Sequence, residues 1–168
     1  MNKYWMYSFL LFVVIVSCEK EDLTNAKQSD LEWNKKIALA YVHSYATAIE
    51  EAIPFMCNDS TKITYIQNAI KSINFYPDSS GYFYVYDYNC INIAHARQKD
   101  LQGQNLYNYT DTKGKYVIRE LAAMAQSGGG YVEFYWIKPG ETGEKKKLGY
   151  VEPITNTNYF IGSGVYLE

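Results

Sequence analysis

The stretch YFYVYD at residues 82–87 constrains the fold most, because a β-strand with this sequence has two apolar or aromatic faces. Successive side chains of a strand point to opposite faces. The three tyrosines therefore share one face, and Phe83 and Val85 share the other. A half-exposed strand needs only one apolar face. We predict that both faces are covered, one by a hydrophobic core and the other by a pocket, although the pattern does not say which face is which.

Length, charge and aromatic content limit the classes of protein to consider. The chain has 168 residues, a formal net charge of −2 and 18 tyrosines. The length predicts one domain, and the charge argues against a nucleic-acid-binding surface, which needs clustered lysine and arginine. Tyrosine combines a large apolar ring with a polar hydroxyl, which suits the wall of a pocket.

The N-terminus has the pattern of an export signal. The apolar run FLLFVVIV at residues 9–16 is shorter than the ~20 residues of a membrane-spanning helix, and it leads into IVSC, ending at Cys18. This resembles a bacterial lipoprotein signal, which implies cleavage before Cys18 and a lipid anchor on it. We expect residues 1–17 to be a signal peptide and 18–29 a tether, with the protein lipid-anchored in the cell envelope. The alternative is an unrelated cysteine behind an ordinary signal peptide.

Two further cysteines, Cys57 and Cys90, remain in the exported part of the chain. An oxidising compartment would permit a disulfide between them. The alternative is that both are small buried apolar residues.

Hydrophobic periodicity predicts three helices and five strands. The helices are expected at 30–53, 60–73 and 116–126. The strands are expected at 82–87, 91–95, 131–137, 147–154 and 159–167. Antiparallel strands with helices mainly on one face make an α+β architecture.

A series of short motifs follows from about residue 60 to the end of the chain. They are GYFYVYD at 81–87, His95 at the end of the next strand, GQNL at 103–106, DTKGK at 111–115, VEFYWIKP at 132–139, KLGYV at 147–151 and GSGVY at 162–166. In this order they resemble the single Cache domain of bacterial extracytoplasmic sensors. Two positions depart from the family pattern. Cys90 stands where the turn usually has glycine, so a left-handed backbone is expected at a cysteine, and Ala96 replaces a proline.

The resemblance implies a fold and a site for residues 30–168. The fold would be a PAS-like five-stranded antiparallel sheet with a long N-terminal helix packed on one face. A small ligand, a carboxylate or an amino-acid-like metabolite, would bind on the other face, held by charged and hydroxyl donors in an apolar wall. The candidate ligand-binding residues are Tyr84, His95, Arg119, Tyr135, Trp136, Lys138, Lys147 and Tyr150. A histidine pKa near neutral would weaken anion binding as the pH rises.

Three functions are compatible with these features. The first is a lipid-anchored domain that binds a small ligand, for sensing or for presentation to a separate signalling or transport protein. The alternative is a ligand-free structural or interaction subunit of the same fold, with tyrosine rings filling the pocket. An enzyme is not expected, because no oxyanion-hole motif accompanies Cys90 and His95. No cofactor is implied, and the two histidines, 52 residues apart, do not have metal-ligand spacing.

Overall fold

The computed structural model describes the backbone of residues 3–167 and the side chains of residues 25–167. The expected signal peptide and Cys18 therefore lie outside the residues whose side chains are described. The chain divides into two compact units, residues 1–33 and 34–168. The first contains the beginning of helix α1, and the second contains the rest of that helix and the sheet. Within the described residues, none of the helices is both long enough and apolar enough to cross a membrane.

The second unit follows the predicted order of helices and strands. The helices are α1 (Lys3–Ala52), α2 (Asp59–Ile70) and α3 (Val117–Gln126), with short 3₁₀ helices at Ile53–Phe55 and Lys99–Leu101. The strands are β1 (Asn74–Phe75), β2 (Gly81–Tyr82), β3 (Tyr84–Asp87), β4 (Asn92–His95), β5 (Gly130–Ile137), β6 (Glu144–Ile154) and β7 (Tyr159–Tyr166). Helix α1 begins well before the predicted residue 30. Helix α2 begins just after Asn58, whose side chain accepts a hydrogen bond from the Thr61 N–H and so caps the helix.

The predicted five-stranded antiparallel sheet is confirmed, in the order β4-β3-β7-β6-β5. The last strand, β7, lies in the middle, where it joins the hairpin of β3 and β4 to the hairpin of β5 and β6. Strands β4 and β5 are therefore the two edges. The short strands β1 and β2 form a separate two-stranded ribbon.

Both faces of the sheet are covered, as the pattern of residues 82–87 predicts, and a hydrophobic core lies on each of them. The back core packs Val42 and Ile49 of α1 and Ile66 of α2 against Phe83 and Val85. The front core packs α3 and the loop before it against the three tyrosines of the same stretch. The structure thus settles which face is which: the tyrosines lie at the front, under α3, and the long N-terminal helix packs at the back.

The disulfide considered for Cys57 and Cys90 is absent, and both thiols are free. Cys90 is buried in the front core, whereas Cys57 is exposed and follows Ile53, a residue of the back core. Cys90 has a φ of 65°, which confirms the left-handed backbone expected where the family has glycine.

Two glycines make room for Tyr84 on the front of the sheet. Gly162 of β7 pairs directly with Tyr84, and a Cβ at this glycine would lie 2.5 Å from the tyrosine ring. A Cβ at Gly149 of β6 would lie 2.9 Å from the Tyr84 hydroxyl and 2.7 Å from the ring of Phe134. Bare backbone at these two positions lets the ring lie flat across β7 and β6.

We predict that Gly162→Ala destabilises the protein by about 1–3 kcal/mol, because the methyl group overpacks the front core. Urea unfolding would measure the change. In a Tyr84→Leu background the ring is gone, so the same substitution should cost clearly less. An equal cost in both backgrounds would show that Tyr84 does not cause the penalty.

Candidate functional site

A buried cavity lies between the front of the sheet and helix α3. Only about 10 Å³ of it is open to the centre of a water-sized sphere. That is room for about one water molecule. The lining residues are Tyr82, Tyr84, Tyr86, His95, Val117, Ile118, Leu121, Phe134, Trp136 and Lys147.

Periodicity within each element brings the apolar wall together. The tyrosines of β2 and β3 alternate toward the front, and Phe134 and Trp136 of β5 do the same. Val117, Ile118 and Leu121 lie on the buried side of α3. All of these side chains are buried, so little of the cavity wall is exposed to solvent.

Lys147 places an amino group inside this apolar wall. Its side chain is fully buried, and its Nζ lies 3.8 Å from the ring centroid of Tyr82 and 4.8 Å from that of Tyr166. Among the side chains that the structure describes, no carboxylate lies within 4 Å of this nitrogen. Burial holds the pKa of Lys147 well below its usual value. The tyrosine rings supply cation–π attraction, but the ammonium form has no anionic partner.

His95 is a neutral hydrogen-bond donor to the cavity. Its Nδ1 accepts hydrogen bonds from the backbone N–H groups of Gln98, at 2.9 Å, and Arg97, at 3.3 Å. The proton of the neutral ring is therefore on Nε2. Burial, and secondarily the charge of Lys147, lowers the pKa of His95 to about 3. The expectation of a near-neutral pKa is thus wrong, because the imidazole is buried beside the amino group of Lys147.

The tyrosine hydroxyls of the cavity mostly donate to protein atoms. Tyr166 donates to the Ile137 carbonyl oxygen at 2.7 Å, so the contact between the Tyr82 and Tyr166 hydroxyls, at 3.1 Å, has Tyr82 as its donor. Tyr84 donates to the Ser163 carbonyl oxygen at 3.4 Å. The donors left for a guest include the amino group of Lys147 and the Nε2–H of His95.

The loop between β4 and α3 is fastened to the sheet by two carboxylates. Asp111 accepts a hydrogen bond from the Tyr135 N–H of edge strand β5, at 2.9 Å. Glu144 accepts from the Thr112 N–H and the Tyr109 hydroxyl, each at 2.7 Å. Burial acts to raise the pKa of Asp111, but hydrogen bonds from backbone N–H groups outweigh it and hold the pKa below its usual value. These contacts hold the loop between β4 and α3 against the sheet.

Of the eight candidate residues, four line the cavity: Tyr84, His95, Trp136 and Lys147. The other four have different contacts. Arg119 holds the loop, with its guanidinium donating to the Tyr107 carbonyl oxygen at 2.6 Å. Lys138 forms ion pairs with Asp78, at 3.2 Å, and Glu141, at 3.1 Å.

Tyr135 and Tyr150 are the remaining two candidates. Strand parity places both on the back of the sheet. Tyr135 alternates with Phe134 and Trp136, and Tyr150 packs against the back core. The position of each tyrosine along its strand sets the face to which it points, because neighbouring side chains of a strand point to opposite faces.

Sequence reasoning did not select Tyr82, Tyr86 or the α3 residues as lining residues. The alternation of tyrosines in 82–87 was a usable signal for the first two, because Tyr84 shares their face. The helical spacing of Val117 and Leu121 signals a buried stripe, but it does not distinguish a pocket roof from ordinary core. No cluster of side chains suited to a metal ion occurs among the described residues.

The two histidines should titrate on opposite sides of pH 6.5, the ordinary pKa of histidine. His43 is exposed, and its Nδ1 lies 2.8 Å from a Glu152 carboxylate oxygen; this hydrogen bond and the negative charge raise its pKa. We predict that nuclear magnetic resonance detects His43 titrating above 6.5, whereas His95 stays neutral with its proton on Nε2 between about pH 5 and 8. Titration of His95 near 6.5 would contradict the buried environment.

The same pKa values fix the sign of the pH dependence. The folded pKa of His95 lies below the unfolded value of 6.5, so its contribution lowers stability as the pH falls from 6.5 toward 3. The folded pKa of His43 is raised. Its stabilising contribution is present below pH 6.5 and is lost as the pH rises through the folded pKa.

Comparison with known proteins places the fold among sensor domains. A sequence profile of the Cache domain family, dCache_2, matches residues 13–168. The chain is 42% identical over 88 residues to the sensor histidine kinase MctS of Rhizobium johnstonii, a match that covers 52% of this chain and 19% of the kinase.

Two crystallographic relatives cover nearly the whole domain. A methyl-accepting chemotaxis protein from Vibrio parahaemolyticus is 33% identical with a TM-score of 0.75, covering 88% of this chain and 97% of that one. A Cache chemosensory domain described for carboxylic acid recognition is 27% identical with a TM-score of 0.65, covering 88% and 98%. The chain therefore belongs to the Cache domain family, as a single Cache domain related to the sensor domains of chemoreceptors and histidine kinases.

Proposed function

We propose that this domain is an extracytoplasmic sensor module that binds a small carboxylate in the cavity beneath α3. The observation that carries the proposal is the buried amino group of Lys147, which has no carboxylate partner among the described side chains. A buried charge without a partner is strongly unfavourable. An anionic guest would supply that partner and would restore the ammonium form.

The polar groups of the cavity fit a carboxylate better than an amino acid. The amino group of Lys147 and the Nε2–H of His95 are both donors, and none of the lining residues is acidic. The α-ammonium group of an amino acid would lie beside these donors, and none of the lining residues carries a carboxylate to pair with it. A carboxylate can accept from both, and charge-assisted hydrogen bonds of this kind are about twice as strong as neutral ones.

The size of the cavity limits the guest to a few non-hydrogen atoms. The cavity has room for about one water molecule, so its side-chain walls must move outward to admit even a small carboxylate. The solved Cache domain described for carboxylic acid recognition supports this ligand class.

Lipid anchoring and a signalling partner complete the proposal. The IVSC sequence supports a signal peptide over 1–17, a lipid on Cys18 and a tether over 18–29, with the domain in the cell envelope. The related sensor kinase supports transfer of the ligand signal to a separate signalling protein.

A second function remains in competition because the cavity is so narrow. With space for about one water molecule, the aromatic side chains of the front core would make a stable filled interior for a ligand-free interaction subunit. The two functions differ in whether any small carboxylate stabilises the protein.

We predict that a short-chain carboxylate such as propionate raises the thermal stability of the full chain. Binding to the native state alone adds about 2.7 kcal/mol at a hundredfold excess over Kd. Lys147→Met should abolish the shift but leave the unliganded protein at least as stable, because a buried unpaired amine is replaced by an apolar side chain. Differential scanning fluorimetry measures both quantities.

Lys138→Met is the matched control, because it removes a lysine of the same sheet region that pairs with Asp78 and Glu141 outside the cavity. It should retain the ligand-induced shift. A screen of small carboxylates without any shift would favour the ligand-free subunit instead.

We also predict that Cys18→Ser abolishes incorporation of labelled palmitate in bacteria expressing the full chain, because serine lacks the thiol that carries the lipid. Cys57→Ser is the control and should be labelled like the unchanged protein. Equal labelling of the Cys18 variant would rule out anchoring at this residue.

A further inference from the structure

The two edges of the sheet are joined across the front by one side-chain hydrogen bond. Gln98 lies just after β4, and Trp136 lies on β5, at opposite edges of the strand order. The indole Nε1–H of Trp136 donates to the side-chain oxygen of Gln98 at 2.7 Å. The ring of His95, at the end of β4, stacks 6.4 Å from the Trp136 ring. We call the hydrogen bond between Gln98 and Trp136 the clasp.

Trp136 adjoins both the cavity and a groove on the outside. The outer groove is lined by Gln98, Leu101, Gln104, Leu106, Tyr109 and Ile137, among others, and by Trp136 itself. The space open to the centre of a water-sized sphere is about 640 Å³ there and about 10 Å³ in the cavity. Among the described residues, Trp136 alone lines both spaces, which places it at the boundary between them.

The clasp can open without detaching the loop. Asp111 and Glu144 hold the later part of the loop through hydrogen bonds that do not involve Gln98. The N–H of Gly103 donates to the Asn92 carbonyl oxygen at 2.8 Å and fixes the earlier part to β4. The Gln98 backbone N–H, which positions His95, is also independent of the Gln98 side chain.

We propose that Gln98 is a positioning residue that sets the greatest length of the ligand, by holding Trp136 as the partition between the cavity and the outer groove. This inference rests on the proposed carboxylate-binding function. With the clasp closed, outward movement of the other walls makes room for a carboxylate with a short tail only. With the clasp released, the indole can rotate and an aliphatic tail can extend along Leu101, Leu106 and Ile137.

The test compares n-alkanoates of increasing length, from acetate to hexanoate, by isothermal titration calorimetry on the full chain. Gln98→Met keeps the size of the side chain but removes the acceptor. It should raise the affinity for hexanoate relative to propionate by about fivefold or more, the effect of losing about one net hydrogen bond. Gln98→Glu keeps an acceptor oxygen and should retain the wild-type ratio, even if its charge weakens all alkanoates alike.

Gln104→Met is the control in the groove. Its side chain donates to the Asp100 carbonyl oxygen at 2.7 Å and takes no part in the clasp, so it should leave the ratio unchanged. A second readout needs no ligand: the indole N–H resonance of Trp136 should shift upfield and exchange faster in Gln98→Met than in Gln98→Glu.

The outcomes separate the two proposals. If the unchanged protein binds short alkanoates and Gln98→Met has the same length preference, the inference about Gln98 is wrong and the proposed function stands. If the unchanged protein binds no alkanoate of any length, the proposed function fails and the inference fails with it.

Discussion

The structure depends on the enclosure of one amino group within an aromatic cavity. Lys147 lies on β6, between Phe134 of β5 and Tyr166 of β7, and it points to the covered front of the sheet. Transfer of an ammonium from water to an apolar interior is costly unless a partner compensates. Three tyrosine rings within 6 Å of Nζ offset part of that cost. The remainder is the basis of the proposal that the cavity takes an anionic guest.

Other groups on the front of the sheet hold the side chains around Lys147 in place. Backbone N–H groups fix the ring of His95 in one tautomer, and glycines at 149 and 162 let Tyr84 lie flat on the sheet. Asp111 uses one carboxylate to satisfy the unpaired N–H of an edge strand and two N–H groups of its own loop. Hydrogen bonds of this kind stiffen the surroundings of the cavity.

Local sequence patterns predicted the fold far better than the site. The alternation in 82–87 predicted a strand buried on both faces, and the motif order predicted the five-stranded sheet, both of which the structure confirms. The site was harder to predict. Lys138, Arg119 and Lys147 are all cationic side chains that could bind a carboxylate, and the sequence does not rank them. Only Lys147 lies in the cavity, whereas the other two bind acidic or loop groups at its outside. Charge and residue type cannot distinguish these positions.

The sequence by itself determined the kinds of elements, the position of the left-handed residue Cys90 and the resemblance to a sensor family. These follow from backbone periodicity and turn chemistry, which act within a few residues. Tertiary structure decided that the tyrosine face meets α3, that Lys147 and His95 share one cavity, and that Gln98 reaches Trp136. Gln98 and Trp136 lie 38 residues apart, and all of these contacts depend on strand order and register. A shift of one residue in that register would have turned the strand residues Lys147, His95 and Trp136 to the opposite face.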